Sequence, residues 1–414
     1  MKVLWLSHLI PYPPKGGVLQ RSYNMVRELS KYHEVDLLAF NQRGLLEPLY
    51  PSLEQGLADA NVAIGAICNR HKFFDLPIDE SPYVRYWLAF KGLFTKPYNL
   101  LWLESREYAE AVEQWCRDTH YDVIHFDTIS LLPYLEYVDS SVATVLDHHN
   151  IESHMLIRRA ENESNPLLSF YYRHEGRRVE QYEKDFCPRF SLNITCSDVD
   201  SDRLQGITPA SRVQTIPNGV DLHYFSPVGL EKNASSLIFV GTLNWYPNVE
   251  AVIYIANTLW PKLKKLHPDL TFHIVGANPP QKVIDLAQQD PSFKVHGFVE
   301  DIRPMIEQAT VYVCPIKDGG GTKLKILDAL AMGAPIVAYP LACEGIDVTP
   351  GHDVLFAETD DEFVRQIDTL LGSRELQEKI SRNGRKLIEE RFSYQAIGSE
   401  LSSAFEACSD KGVQ

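Results

Sequence analysis

The segment Asp318-Gly-Gly-Gly-Thr-Lys-Leu-Lys-Ile-Leu-Asp328 joins a glycine run, two lysines and a carboxylate. Glycines let the backbone bend around a ligand, and Thr322 is placed to cap the helix that follows. Amides at such a helix start, beside Lys323 and Lys325, make a phosphate site. The preceding Thr310-Val-Tyr-Val-Cys-Pro315 reads as a buried strand, so the glycines stand where a strand passes into a helix. Open α/β sheets bind ligands at such junctions. A second junction is Gly16-Gly17, which closes the loop Pro11-Tyr-Pro-Pro-Lys15 and opens a helix. A third group, Asp147-His-His-Asn150, falls at the end of another strand. Histidine titrates near neutrality and can orient a hydroxyl or move a proton.

These groups need a frame. Short apolar runs alternate with helical patterns, which reads as parallel sheets covered by helices. In the first half the strands are expected at Val3–Leu6, Val35–Phe40, Val62–Ile67, Val123–Phe126, Ala143–Leu146 and Leu192–Cys196. Val18–Tyr32 is a helix whose Val18, Leu19, Tyr23, Val26 and Leu29 form a buried face. Beyond residue 230 the alternation restarts, with strands at Leu237–Val240, Phe272–Val275, Lys294–Phe298, Val311–Cys314, Pro335–Tyr339 and Val354–Phe356. Asn248–Leu266 and Lys323–Met332 are helices between them. The join is the turn-rich Ile216-Pro-Asn-Gly-Val-Asp-Leu-His-Tyr-Phe-Ser-Pro227. The pattern predicts an α/β chain of two doubly wound, Rossmann-like domains facing each other across a cleft. Their expected extents are 1–217 and 218–375. Helices over 376–414 would brace back onto the first domain.

The chain has 414 residues, long for one core. Its net charge of −15 excludes a general nucleic-acid partner. The seven cysteines are scattered without a two-residue-spaced pair, which argues against a zinc cage and suits a reducing compartment. The apolar run at Val3–Leu6 is too short for a signal peptide. The longest uncharged run, Ala329 to Cys343, is broken by Gly333, Pro335 and Pro340. A spanning helix needs ~20 apolar residues, so no transmembrane segment is expected.

Several motifs in order resemble those of family 4 glycosyltransferases of the GT-B fold, the kind that builds exopolysaccharide and other glycoconjugates. They are Gly16-Gly17, Val145-Leu-Asp-His-His-Asn150, Ile216-Pro-Asn-Gly-Val-Asp221, Phe239-Val-Gly-Thr-Leu243 with Asn244-Trp-Tyr-Pro-Asn248, and Val295-His-Gly-Phe-Val299. The glycine-rich loop running into Asp328-Ala-Leu-Ala-Met-Gly-Ala-Pro-Ile-Val337 completes the set. The resemblance implies a nucleotide diphosphate-sugar donor on the C-terminal domain and a glycan or lipid-linked acceptor against the N-terminal one. It also implies retention of anomeric configuration, with no required metal or resident cofactor.

On that basis Gly16, Gly17, Gly241, Gly320, Gly321, Thr322, Lys323, Leu324 and Lys325 would line the donor's diphosphate and sugar. Asp328 stands where the family usually has a glutamate for the ribose hydroxyls. His149 is the better match to the family's functional histidine, with His148 and Asn150 on the acceptor side. Two positions depart from the pattern: Gly320 replaces a glutamate, and Thr242 and Asn248 stand where an Arg and a Lys usually clamp the diphosphate. Lys323, Lys325 and the Gly16-Gly17 amides must then carry more of that work.

Ser197-Asp-Val-Asp-Ser-Asp202 lacks the glycine and final glutamate of a calcium loop, with Arg203 and Pro209 at those places, and reads as helix capping. Tyr83-Val-Arg-Tyr-Trp-Leu-Ala-Phe-Lys-Gly-Leu-Phe-Thr-Lys96 is read first as a helix packed into the first domain's core. The alternative is a seat on a membrane surface, where it would meet a lipid-linked acceptor. The chain is expected in the cytoplasm, at the inner face of the membrane in that second case. Two competing functions share the architecture: a nucleotide-sugar epimerase and a non-catalytic nucleotide-sugar-binding partner of another transferase.

Overall fold

The computed structural model describes residues 1–15, 17–79, 81–233, 235–318 and 322–409. The chain divides into two compact units, Met1–Pro217 with Ile397–Gln414, and Asn218–Ala396. Each is an α/β unit around one parallel sheet.

In the first unit the strands are β1 (Lys2–Ser7), β2 (Glu34–Asn41), β3 (Arg70–Asp75), β4 (Val123–Phe126), β5 (Ala143–His148), β6 (Leu192–Thr195) and β7 (Val213–Thr215). They lie in the order β3-β2-β1-β4-β5-β6-β7, every pair parallel. Val3, Leu4, Trp5 and Leu6 are all fully buried, because helices cover both faces of the sheet and each side chain meets one. Consecutive strands step away from β1 on one side and resume with β4 on the other. The carboxyl ends of β1 and β4 are therefore a topological switch point.

The expected strand over Val62–Ile67 is corrected: these residues end a helix, Leu53–Gly65, and the turn after it. Ser52 caps that helix by accepting from the Gln55 amide, and Gly56, Ala60 and Ile64 form its buried face at a spacing of four. A short apolar run does not by itself tell a strand from a helix end. The strand of that region is β3, Arg-His-Lys-Phe-Phe-Asp, an edge strand whose charges hide its period.

The second unit has β8 (Ser236–Val240), β9 (Thr271–Val275), β10 (Phe293–Gly297), β11 (Val311–Cys314), β12 (Ile336–Ala338) and β13 (Leu355–Phe356), in the order β10-β9-β8-β11-β12-β13. Its switch point is at β8 and β11. The helix Arg374–Arg391 belongs to this unit, where Gly384 lies against Leu330. From Ile397 the helix Tyr394–Ser409 joins the first unit, burying Leu401, Ala404 and Phe405 in the same core as Val3, Trp5 and Val26. Among the described residues no helix is long and apolar enough to cross a membrane.

Candidate active site

At the first unit's switch point Asp127, directly after β4, is fully buried and gathers hydroxyls and imidazoles from three other segments. Its carboxylate accepts from Ser7 at the end of β1 (3.1 Å) and from Ser22 on the helix Gly17–Leu29 (3.1 Å). It also accepts from His8 Nδ1 (3.0 Å) and from His149 Nε2 (3.2 Å). An ionised carboxylate only accepts, so both of those ring nitrogens carry a proton. Burial opposes the charge of Asp127, but His149 and His8 outweigh it and hold its pKa well below the carboxylate range. Burial likewise opposes charge on His149, and the Asp127 carboxylate overcomes it, raising the imidazole's pKa. One turn on, burial pushes Glu152 up to about 7, against the pull of His149 and a hydrogen bond from Asn99 (3.1 Å). An imidazole of raised pKa and a carboxyl that titrates near neutrality thus share one end of the sheet. That arrangement suits binding and proton handling of an anionic or hydroxylic ligand.

A second buried pair fixes this end of the sheet. Arg21 meets Asp147 on β5 through Nε (3.2 Å) and Nη2 (3.0 Å), and its Nη1 donates to the Ile216 and Pro217 carbonyls (both 3.2 Å). The guanidinium fork so locks the first helix to β5 and to the end of the first unit. His148 is not brought to the cluster. Its ring is buried against Asn193 Oδ1 (3.1 Å) and Cys187, and burial lowers its pKa. Asn150 is half-buried in the loop after β5. Gly17 starts its helix, while Gly16 lies outside the described residues. His8, Asp127, Arg21 and Glu152 carry no motif. The signal available for the first two was a polar residue immediately after a buried parallel strand.

Ligand-type atoms of His8, Asp127 and His149 lie within 4.8 Å of one another, as do those of His125, Asp127 and Asp147. Two imidazoles and a carboxylate are a donor set for a divalent cation. Here the Asp127 oxygens already serve four donors, and the Arg21 charge sits on Asp147. His125 is buried between Trp5 (3.6 Å, stacked) and Phe405, and burial takes its pKa down to about 4. The residues therefore fit a hydrogen-bonded hub.

In the second unit the loop after β8 carries Gly241, whose oxygen would stand 1.9 Å from a Cβ on Gly276, so position 276 admits no side chain. A Cβ on Gly241 would meet Lys325 Nζ at 2.6 Å and Asn248 Nδ2 at 2.8 Å. The Lys325 ammonium donates to Asn248 Oδ1 and lies 5.0 Å from the Phe239 ring centre. Asn248 in turn donates to the Thr242 carbonyl (2.8 Å). Burial lowers Lys325 to about 8. The positions that lack the family's basic clamp, Thr242 and Asn248, thus have a cation beside them from another element.

The helix after β11 is Leu324–Ala331, and its N-cap is Lys323 with no side-chain cap bond, which corrects the expectation that Thr322 caps it. The helix starts one residue later than the expectation placed it. Leu324 and Lys325 are the first helical residues, and Gly320 and Gly321 lie outside the described residues. Asp328 is buried on this helix. Burial and Asp301 raise the Tyr224 phenol's pKa, and Asp328 adds to that effect from nearby. The Tyr246 hydroxyl bonds to Asp318 where the glycine segment begins. Ser197 caps the helix Asp198–Ile207 by accepting from the Asp200 amide.

Residues 15–224 match the family model described as Glycosyltransferase Family 4, and residues 234–373 match that of Glycosyl transferases group 1. The chain belongs to glycosyltransferase family 4. Among solved structures, this family 4 glycosyltransferase is similar to a sucrose-phosphate synthase from Thermosynechococcus elongatus (15% identity, TM-score 0.70, covering 98% of this chain and 99% of that one). It is also similar to Anabaena HepE in complex with UDP (16%, 0.64, 98% and 100%) and to TarM (12%, 0.68, 98% and 98%). At such identities the likeness is one of fold, GT-B with two Rossmann-like domains. A curated relative, an uncharacterized 44.6 kDa protein in the cps region of Klebsiella pneumoniae, is 21% identical over 249 residues, 58% of this chain. The match spans 63% of that relative's length.

Proposed function

We propose that this enzyme is a retaining glycosyltransferase that moves a sugar from a nucleotide diphosphate-sugar to a glycan or lipid-linked acceptor in polysaccharide or glycoconjugate synthesis. The observation that carries the reading is the Lys325 ammonium held against Gly241 and Asn248 at the second unit's switch point, beside the first turn of a helix. In the reaction the sugar–phosphate bond breaks, a glycosidic bond forms, and negative charge gathers on the departing diphosphate. Lys325, Lys323 and the first-turn amides of Leu324–Ala331 would offset that charge, which is where preorganised donors accelerate most. Asp328 would take the ribose hydroxyls, and the His149 imidazole would hydrogen-bond the transferred sugar. None of these roles calls for a metal or a resident cofactor. The cps-region relative supports a polysaccharide role, and HepE crystallised with UDP supports a nucleotide donor. Seven free thiols suit the cytoplasm.

The test is a thermal-shift panel of UDP, GDP, ADP and dTDP with their common sugars, with and without magnesium, on the wild type and Lys325→Met. One nucleotide should stabilise the protein equally in both buffers, and the variant should bind it at least about tenfold more weakly. No shift with any nucleotide would overturn the reading. An isomerised sugar without acceptor would replace it with the epimerase.

A further inference from the structure

Tyr83–Lys96 is not packed in the core as expected. The helix Pro82–Gly92 turns Val84 and Leu88 inward, where they pack on the first unit's core. It turns its aromatic residues outward: Tyr83 is 81% exposed, Tyr86 77% and, just past its end, Phe94 75%, with Trp87 and Phe90 also exposed. Tyr83, Trp87, Phe90 and Phe94 recur at the helical spacing of three and four, so they form one stripe. The rings touch along it, Trp87 to Phe90 at 6.2 Å and Phe90 to Phe94 at 5.4 Å between centroids.

This stripe is held from below by the helix Pro166–Phe186. Arg178 donates to the Gly92 and Thr95 carbonyls, and Glu175 accepts from the Tyr98 amide (2.8 Å). The start of that same helix exposes Leu167, Leu168 and Phe170. Residues 81–103 contain Arg85, Lys91 and Lys96 and no acid, in a chain of net charge −15. The three cations rest on Asp79 (3.3 Å) and Glu104 (3.8 and 3.1 Å), surface pairs of the kind worth about 0–1 kcal/mol each.

We infer that the Tyr83–Phe94 stripe seats this enzyme on an anionic lipid bilayer surface. Tyrosine and tryptophan rings with interleaved Lys and Arg are the side chains that favour the headgroup boundary, rings in the acyl edge and cations at the phosphates. A two-fold contact of the stripe with its copy would instead bring three cations from each copy to one interface, against the two acids, Asp79 and Glu104, that pair with them. The inference deepens the transferase reading, on which it rests only for its consequence: the acceptor would be lipid-linked and presented in the membrane plane.

Vesicle flotation of the full-length protein tests it without donor or acceptor, so its failure leaves the transferase reading standing, and failure of the nucleotide panel leaves the lipid test standing. The protein should float with vesicles containing phosphatidylglycerol, much less with phosphatidylcholine alone, and less again in high salt. Trp87→Ser with Phe90→Ser, at exposed positions, should cut binding at least about tenfold with an unchanged melting temperature. Equal flotation of wild type and variant would overturn the inference. So would absence of flotation, with or without a concentration-dependent dimer that the same variant abolishes.

Discussion

Replacing Asp127 with Asn separates the roles of the buried hub. The carboxylate receives Ser7, Ser22, His8 and His149 at 3.0–3.2 Å. An amide keeps one acceptor oxygen and turns a donor toward groups that also donate, so the contact to one of the two imidazoles is lost whichever way the amide lies. A buried hydrogen bond to a charged group is worth about 1.5–3 kcal/mol, and removing one partner of a buried pair costs about 3–5 kcal/mol, so a loss of about 3–5 kcal/mol is expected. The effect should depend on pH with a definite sign. His149 has its folded pKa raised, so its stabilisation is fully present below about 6.5 and fades as pH rises through the raised folded value. Asp127 has its pKa depressed, so its contribution is present above about 3.9 and fades in acid. The gap between wild type and variant is therefore widest from about pH 4 to 6.5 and narrows in alkali. Denaturant unfolding across that range measures the gap, and NMR titration of the His149 imidazole, shifted to lower pKa in the variant, measures its cause. An unmoved His149 titration would refute the argument, whatever the stability did.

Two further substitutions test the frame. Gly276→Ala places a Cβ where the Gly241 oxygen stands 1.9 Å away, and should destabilise the second unit by about 1–3 kcal/mol or more, read by hydrogen exchange of the β8 and β9 amides; unchanged protection would contradict that close approach. Glu183 is fully buried on Ser153, and burial raises it from 4.5 to about 7, so its stabilisation is complete below 4.5 and lost as pH rises through 7. Glu183→Gln should therefore gain on the wild type between pH 5.5 and 8.5, by about 2 kcal/mol in unfolding free energy from denaturant titration; parallel pH curves would count against it.

Much of the fold could be read along the chain because a parallel strand buried on both faces is a near-continuous apolar run, and most of these runs were visible. Val62–Ile67 failed because its apolar residues end a helix, and β3 failed because an edge strand keeps its charges. The site divides differently. His149 is part of a local pattern that stands out where it is. Asp127 is not, because its meaning comes from β4 lying beside β1 and β5, which brings His8, Asp127 and His149 together across the sheet. Lys325 was legible as a nearby charge, but its place beside Gly241 and Asn248 depends on β8 and β11 being neighbours. The aromatic helix shows the remaining limit. Periodicity puts Tyr83, Trp87, Phe90 and Phe94 on one face, yet a stripe of rings has the same period whether it faces a core or a solvent. What decides is the opposite face: Val84 and Leu88 suffice to anchor the helix, and the grip of Arg178 on Gly92 and Thr95 fixes its rotation with the rings outward.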